Sequence, residues 1–188
     1  MRVLFIGGTG KISTACSELA IQKGIHLTLL NRGRSLLLPP EGAELLQADI
    51  NDRVAARAVL GNYTFDAVVD WVAYTPDQVL ADLELFRGRM GQYVFISSAS
   101  VYQTPPSNLP IRESTLLDNP IWEYSRNKIA CEEVLVKAYR EQKVPITIVR
   151  PSHTYDRSSV PVEGGYTVVD RMMKGMPVIV HGDGTSVW

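Results

Sequence analysis

Neither sign of charge is in excess in this 188-residue chain: 19 Lys and Arg face 20 Asp and Glu, for a formal net charge of -1. No Lys/Arg-rich run is present to serve as a footprint for a phosphate backbone, so no nucleic acid partner is expected. Cysteine is scarce as well, with only Cys16 and Cys131. Both fall within helical patterns and neither has metal-like or disulfide-like spacing, so they are expected as ordinary buried thiols. Histidine is equally sparse: His26 is placed at the start of a strand and His181 in a turn, and no metal site is expected. The N-terminus passes from Met1-Arg2 straight into a short apolar run that ends at glycines, too short for a signal peptide or a membrane span. A cytoplasmic protein without membrane contact is the expectation. Internal repeats and low-complexity tracts are missing too.

What is present is a regular alternation. Short apolar runs occur at Val3 to Ile6, Leu27 to Leu30, Leu45-Leu46, Ala67 to Asp70, Tyr93 to Ile96, Ile146 to Val149 and Val178 to Val180. Amphipathic stretches fill the gaps at Ile12 to Lys23, Asp52 to Leu60, Asp77 to Arg87, Tyr124 to Glu141 and Tyr166 to Lys174. Wholly apolar strands alternating with helices predict an α/β fold with a doubly wound parallel sheet covered on both faces. Its ligands are expected outside the carboxyl ends of the strands, in the loops that follow them. Residues 1–150 are expected to form a Rossmann-like domain and 151–188 the start of a substrate-binding region. Two Pro-containing connections stand out, Leu36 to Pro40 and Gln103 to Pro120, and the second is long enough to reach over an active-site mouth.

The first of these loops is Gly7-Gly8-Thr9-Gly10-Lys11-Ile12-Ser13. Glycines between a strand and a helix start let a pyrophosphate approach backbone N–H groups, which suits a dinucleotide. Ser13 stands where the last glycine of that pattern falls, and a small side chain there still permits close packing. A mononucleotide P-loop would need glycine at Phe5 and a hydroxyl at Ile12, and has neither; a Gly-rich turn without a ligand is the plainer alternative. At the end of the second strand, Asn31, Arg32 and Arg34 replace the carboxylate that would bind an NAD ribose, so NADP is favoured over NAD. Solvated loop charges are the alternative for the two arginines. Asp49, with Ile50 beside it, is placed to accept from an adenine amino group or to cap a helix. Further cofactor contacts are expected from Val72 and Ala73 after the fourth strand and from Ser97 after the fifth.

Tyr124 and Lys128 are four residues apart, one turn along one helix face. A cation beside a phenol favours the phenolate and brings its proton affinity towards the working range of an acid/base. The spacing alone is common by chance. It gains meaning because the helix follows a strand that delivers Ser97-Ser98-Ala99-Ser100, a source for the hydroxyl that would complete the site.

The Val3 to Ser13 loop, Phe95 to Tyr102, Tyr124 to Lys128, Val149-Arg150-Pro151 and His181 to Thr185 occur in one order. Together they resemble the extended or atypical short-chain dehydrogenase/reductases of the NAD-dependent epimerase/dehydratase family. The resemblance implies Tyr124 as acid/base, Ser98 as its hydroxyl partner, Lys128 on the nicotinamide ribose, and the Pro151-Ser152-His153 loop, with Pro151 and His153, beside the nicotinamide. It further implies an NAD(P)-dependent epimerase or oxidoreductase working by reversible hydride transfer on a nucleotide sugar, a small-molecule substrate. A simple carbonyl reductase uses the same residues, and some relatives of the fold are non-catalytic, NAD(P)-binding regulators or RNA-associated proteins. Homodimers are common in such folds. Dehydratases of the family carry an Asp-Glu pair where Ala99 and Ser100 stand, so elimination chemistry is not expected, and Asp70-Trp71 departs from the usual residues after the fourth strand. Family members also continue well past the Gly-Asp-Gly-Thr segment, so most of the substrate region is expected to be missing from a chain that ends at Trp188. Trp71, Trp122 and Trp188 are read as core or interface packing ahead of a sugar platform, with Trp122 notable for its place at the start of the catalytic helix.

Overall fold

The computed structural model describes residues 1–35, 37–180 and 182. Leu36, Trp188 and the His181 to Thr185 motif apart from Gly182 therefore lie outside the described residues. The chain divides into two compact units, Met1–Pro151 and Ser152–Trp188.

The first unit is a six-stranded parallel sheet in the order β3-β2-β1-β4-β5-β6. The strands are β1 (Arg2–Ile6), β2 (His26–Asn31), β3 (Glu44–Gln47), β4 (Ala67–Asp70), β5 (Tyr93–Ile96) and β6 (Ile146–Val149). Four helices connect them: α1 (Lys11–Gln22), α2 (Arg53–Leu60), α3 (Pro76–Leu85) and α4 (Glu123–Gln142). β1 shows why its sequence is apolar at every position from Val3. Leu4 and Ile6 join one buried cluster with Val68, Phe95, Ala56, Val79 and Leu135, while Val3 and Phe5 join a second with Leu27, Leu29 and Ala20. Successive side chains point to opposite faces, and both faces are covered, so no polar alternation survives. Each fully buried Leu, Ile or Phe contributes about 1.5–3 kcal/mol. Cys131 is buried and Cys16 partly so, both free, and Trp71 packs edge-on against Phe5 with ring centroids 5.4 Å apart.

After β3 the chain returns to the far side of β1 to lay down β4. The crevice at this reversal, outside the carboxyl ends of β1 and β4, is where such sheets bind their ligands. Beneath it lies a buried carboxylate pair. Asp70 accepts from the backbone N–H groups of Val72 (2.8 Å) and Ala73 (3.0 Å) and from the Tyr93 hydroxyl (2.5 Å). Asp82, on α3, is paired with Arg53 and almost fully buried. Burial, followed by the charge of Asp70, raises the Asp82 carboxyl from its ordinary 3.8 to about 8. The native state therefore holds a proton that the unfolded chain has released, and stability falls as pH rises through that window. Replacing Asp82 by Asn removes the titrating group. Thermal melts between about pH 5 and about pH 8 should show a flatter pH dependence for Asp82→Asn than for the parent; equal slopes would count against this source.

The second unit contains α5 (Tyr166–Met173). The Tyr166 hydroxyl donates to the Arg157 carbonyl at 2.7 Å, and the Arg171 guanidinium donates twice to the Pro177 carbonyl, at 3.0 and 2.8 Å. Residues Val178 to Val180, expected as a strand, are not one. A strand needs a pairing neighbour, and the described residues of the second unit include no strand.

Candidate active site

Gly7 and Gly8 leave β1 with φ of +102° and +104°, a region that glycine enters without steric cost. At Gly8 space is also decisive, because a Cβ would stand 2.6 Å from Leu29 Cδ2. Ser17, fully buried in α1, donates to the Gly8 carbonyl at 3.0 Å and fixes the loop from below. Ser13, the residue at the last-glycine position, is buried and accepts from the Gly10 N–H at 2.8 Å, so the substitution is absorbed by packing and one hydrogen bond. A Cβ at Gly10 would meet only Ser13 Oγ, at 3.3 Å, so the approach to the first turn of α1 is open. That turn holds Lys11, Ile12 and Ser13, contains no acidic residue, and offers the N–H groups that a helix cannot satisfy internally. An open glycine before a helix start without negative charge fits a pyrophosphate. The Thr9 carbonyl accepts a long contact from Ser35 Oγ at 3.4 Å.

Around the end of β2, Asn31 Oδ1 accepts from Gly33 N at 2.9 Å, which leaves its amide NH2 as the remaining donor group. Arg32 and Arg34 are exposed, and Arg32 Nη1 lies 3.9 Å from Asp49 Oδ2. Asp49 does not cap a helix. Its Oδ1 accepts from Asn51 N at 3.0 Å, while Asp52 caps α2 by accepting from Ala55 N at 3.0 Å. Of the two carboxylates in this stretch, only Asp52 directly precedes the helix. Ile50 is buried beside Asp49, and Val72 Cγ1 would lie 3.1 Å from a Cβ at Gly7, which puts the loops after β1 and β4 side by side.

The carboxyl ends of β4 and β5 and the start of α4 bring the expected catalytic residues together. Lys128 is only 2% exposed, and its ammonium donates to the carbonyls of Ala73 (2.7 Å) and Ile96 (2.8 Å). It sits 4.5 Å from the ring centre of Phe95, 4.9 Å from that of Tyr74 and 5.8 Å from that of Tyr124. Burial lowers its proton affinity, against the raising influence of Asp70, Cys131 and Glu132. Burial and the neighbouring Tyr74 raise the Tyr124 phenol, while a hydrogen bond from Ser98 lowers it. The cation expected to act on Tyr124 is therefore held by backbone carbonyls here, and the opposing pull on the phenol comes from Ser98.

Tyr74 was not foreseen in the sequence, and Trp122 was noted there only for its place at the start of α4. Tyr74 and Trp122 flank the Tyr124 ring, with centroids 5.8 and 4.8 Å away. Both are about half exposed, so Trp122 is not core packing. The other missed feature lies behind the site. Ser97, expected as a cofactor contact, is buried with its hydroxyl donated to Glu132 at 2.5 Å, so that hydroxyl is not available to a ligand. Glu132 is held in turn by Arg150, whose Nη2 lies 2.6 Å from it and whose Nη1 donates to Tyr102 Oη at 3.0 Å. A signal for Glu132 existed: it falls on the buried stripe of α4 with Ser125, Lys128, Cys131 and Leu135, where an acid needs a partner. Pro151 ends the first unit, its carbonyl accepting from Ala99 N at 2.9 Å. His153 belongs to the second unit.

Residues 3–188 match the model of the NAD dependent epimerase/dehydratase family. The chain belongs to that family. As a member of it, the chain is 29% identical over 170 residues to a UDP-glucose 4-epimerase from Lactobacillus helveticus, covering 80% of this chain and 51% of the relative. It is 24% identical over 192 residues to a 2'-dehydrokanamycin reductase from Streptomyces kanamyceticus, covering all of this chain and 53% of the relative. The chain thus spans about half the length of these curated relatives. Among solved structures, a UDP-glucose 4-epimerase from Thermotoga maritima with UDP-glucose superposes with a TM-score of 0.78 at 21% identity, over 98% of this chain and 67% of that one. This last likeness shows that the epimerase/dehydratase family member has the fold of that enzyme.

Proposed function

We propose that this chain carries the cofactor-binding and acid/base half of an NAD(P)-dependent epimerase or oxidoreductase that acts on a nucleotide sugar by reversible hydride transfer. The observation that carries the reading is the convergence of Ser98, Tyr124 and Lys128 outside the carboxyl ends of β4 and β5, beside the loop of Gly7 to Ile12. A bound nicotinamide would supply the hydride acceptor and donor. The residues of the first unit that would hold the cofactor are Gly7, Gly8, Gly10, Lys11 and Ile12 at the pyrophosphate, Asn31, Arg32, Arg34, Asp49 and Ile50 toward the adenosine end, and Val72, Ala73, Lys128 and Pro151 toward the nicotinamide end.

Tyr124 is the group that moves the proton. Its raised phenol is protonated at neutral pH and so can donate to a substrate carbonyl oxygen; in the opposite direction the phenolate must be stabilised, and Ser98 O–H does so by donating to it. Lys128 adds a positive charge behind the ring. Ala99 and Ser100 offer neither the acid nor the base that elimination of water would need, which separates the reading from dehydratase chemistry. Epimerisation and simple carbonyl reduction share these residues, and both kinds of activity occur in the names of relatives.

NADP is favoured over NAD in this proposal because Arg32 and Arg34 are exposed at the end of β2, where a guanidinium can grip a ribose phosphate. Titration with NADPH and NADH, followed by quenching of Trp emission, tests the cofactor site. The Arg32→Ala variant should bind NADPH about tenfold more weakly and NADH unchanged. Equal loss for both would assign Arg32 a structural role with Asp49, and binding of neither by the parent would mean that the Gly7 to Ser13 loop is not a working phosphate cradle.

A further inference from the structure

The segment after β5 and the start of α4 contribute three hydroxyls in a row. Ser125, fully buried, donates from Oγ to Ser100 Oγ at 2.8 Å, and Ser100 Oγ lies 2.9 Å from Ser98 Oγ. Ser100 N also donates to Ser98 Oγ, at 3.2 Å. A serine hydroxyl has one hydrogen to give and two lone pairs to fill. With the Ser125 hydrogen on Ser100, the Ser100 hydrogen is available for Ser98. Ser98 then accepts twice, from Ser100 N and Ser100 Oγ, and its own hydrogen can only point away from that turn. The reverse arrangement would put two hydrogens on Ser100 Oγ and leave the Ser100 hydrogen without an acceptor among the described side chains, a cost that polar groups in half-buried sites avoid.

We infer that Ser100 and Ser125 are positioning residues that set the direction of the Ser98 hydroxyl, making it a donor aimed at the Tyr124 phenol and at the substrate oxygen beside it. Asn119 steadies the same turn. It is buried, donates from Nδ2 to the Ser100 carbonyl at 2.8 Å, and accepts on Oδ1 from Ile121 N and Trp122 N at 3.1 and 3.0 Å. The inference explains what Ser100 does at the position where the family's dehydratases carry a carboxylate: a hydroxyl can pass on a hydrogen-bond direction without adding a charge next to the phenolate. It rests on the proposed role of Ser98 as the partner of Tyr124.

The test reads the proton on Tyr124 and needs neither cofactor nor substrate. Ultraviolet phenolate absorbance is followed against pH, and the difference between each protein and its Tyr124→Phe counterpart isolates this one tyrosine. A donor hydrogen bond stabilises the phenolate, so losing it raises the proton affinity. Ser100→Ala should raise the proton affinity of Tyr124 by about threefold to tenfold, Ser98→Ala by at least as much, and Ser125→Ala by less, because Ser100 can still donate without it. Ser100→Thr, which keeps the hydroxyl, should restore the parent titration. An unchanged titration in Ser100→Ala alongside a shifted one in Ser98→Ala overturns the inference and leaves the role of Ser98 standing. No shift in either variant overturns both. Failure to turn over any nucleotide sugar would sink the functional reading without altering the titration result.

Discussion

Tyr124→Phe is expected to lower kcat by roughly a hundred- to ten-thousand-fold, the usual worth of a positioned general acid/base, with cofactor affinity and fold close to the parent's. The substitution deletes one oxygen from a ring that is only partly buried between Tyr74 and Trp122, so the stacking survives. What disappears is the proton donor and the acceptor for Ser98. Steady-state kinetics on a nucleotide sugar, combined with nicotinamide titration, separates the two effects. A variant that keeps more than about a tenth of the rate would remove Tyr124 from the acid/base role. One that loses cofactor binding along with the rate would point to a collapsed site instead.

The largest loss of stability is expected at Glu132, which is buried in α4. Its side chain is 3% exposed, Arg150 is 18% exposed, and the carboxylate also accepts from Ser97. Its hydrogen bonds to Arg150 push that guanidinium further into its charged range. Glu132→Ala leaves a half-buried guanidinium and a buried hydroxyl without their acceptor, and removal of one partner from such a pair costs about 3–5 kcal/mol. Urea unfolding should show the midpoint falling while the slope is unchanged. Glu132→Gln retains an acceptor and should recover part of the loss. A negligible change in Glu132→Ala would mean that water replaces the carboxylate. The arginine of the Val149-Arg150-Pro151 motif thus ties β6 to α4, and reaches Tyr102 at the end of the Ser97 to Val101 turn.

Local pattern carried much of the architecture. Strands buried on both faces show as largely apolar runs, and β1, β2, β4 and β5 were legible this way, as was the glycine loop before α1; β6 was read from a similar run although it is an edge strand with Val149 40% exposed. The doubly wound parallel sheet followed from crossover geometry, while its particular strand order was not read from the sequence. The segment Val178 to Val180 misled because apolar composition records burial potential and says nothing of a pairing neighbour. The candidate site was legible where proximity follows from spacing, as with Tyr124 and Lys128 on one helix face. Side-chain partners were not, because they join elements far apart in the chain: Ser97 with Glu132, Lys128 with the carbonyl of Ala73, Tyr74 with Tyr124. Asp49 and Asp52 illustrate the same limit at short range. Either carboxylate suits a helix start, and the turn geometry chose the second.

The two carbonyls that hold Lys128 belong to different strand ends, one after β4 and one closing β5. The ammonium is therefore a rivet through the carboxyl ends of two neighbouring strands, as well as the charge proposed to act on Tyr124. A substitution there loosens the frame and strips the site in a single stroke. Any rate lost at this position mixes architecture with reactivity, and the two can be told apart only by measuring how firmly the remaining scaffold still stands.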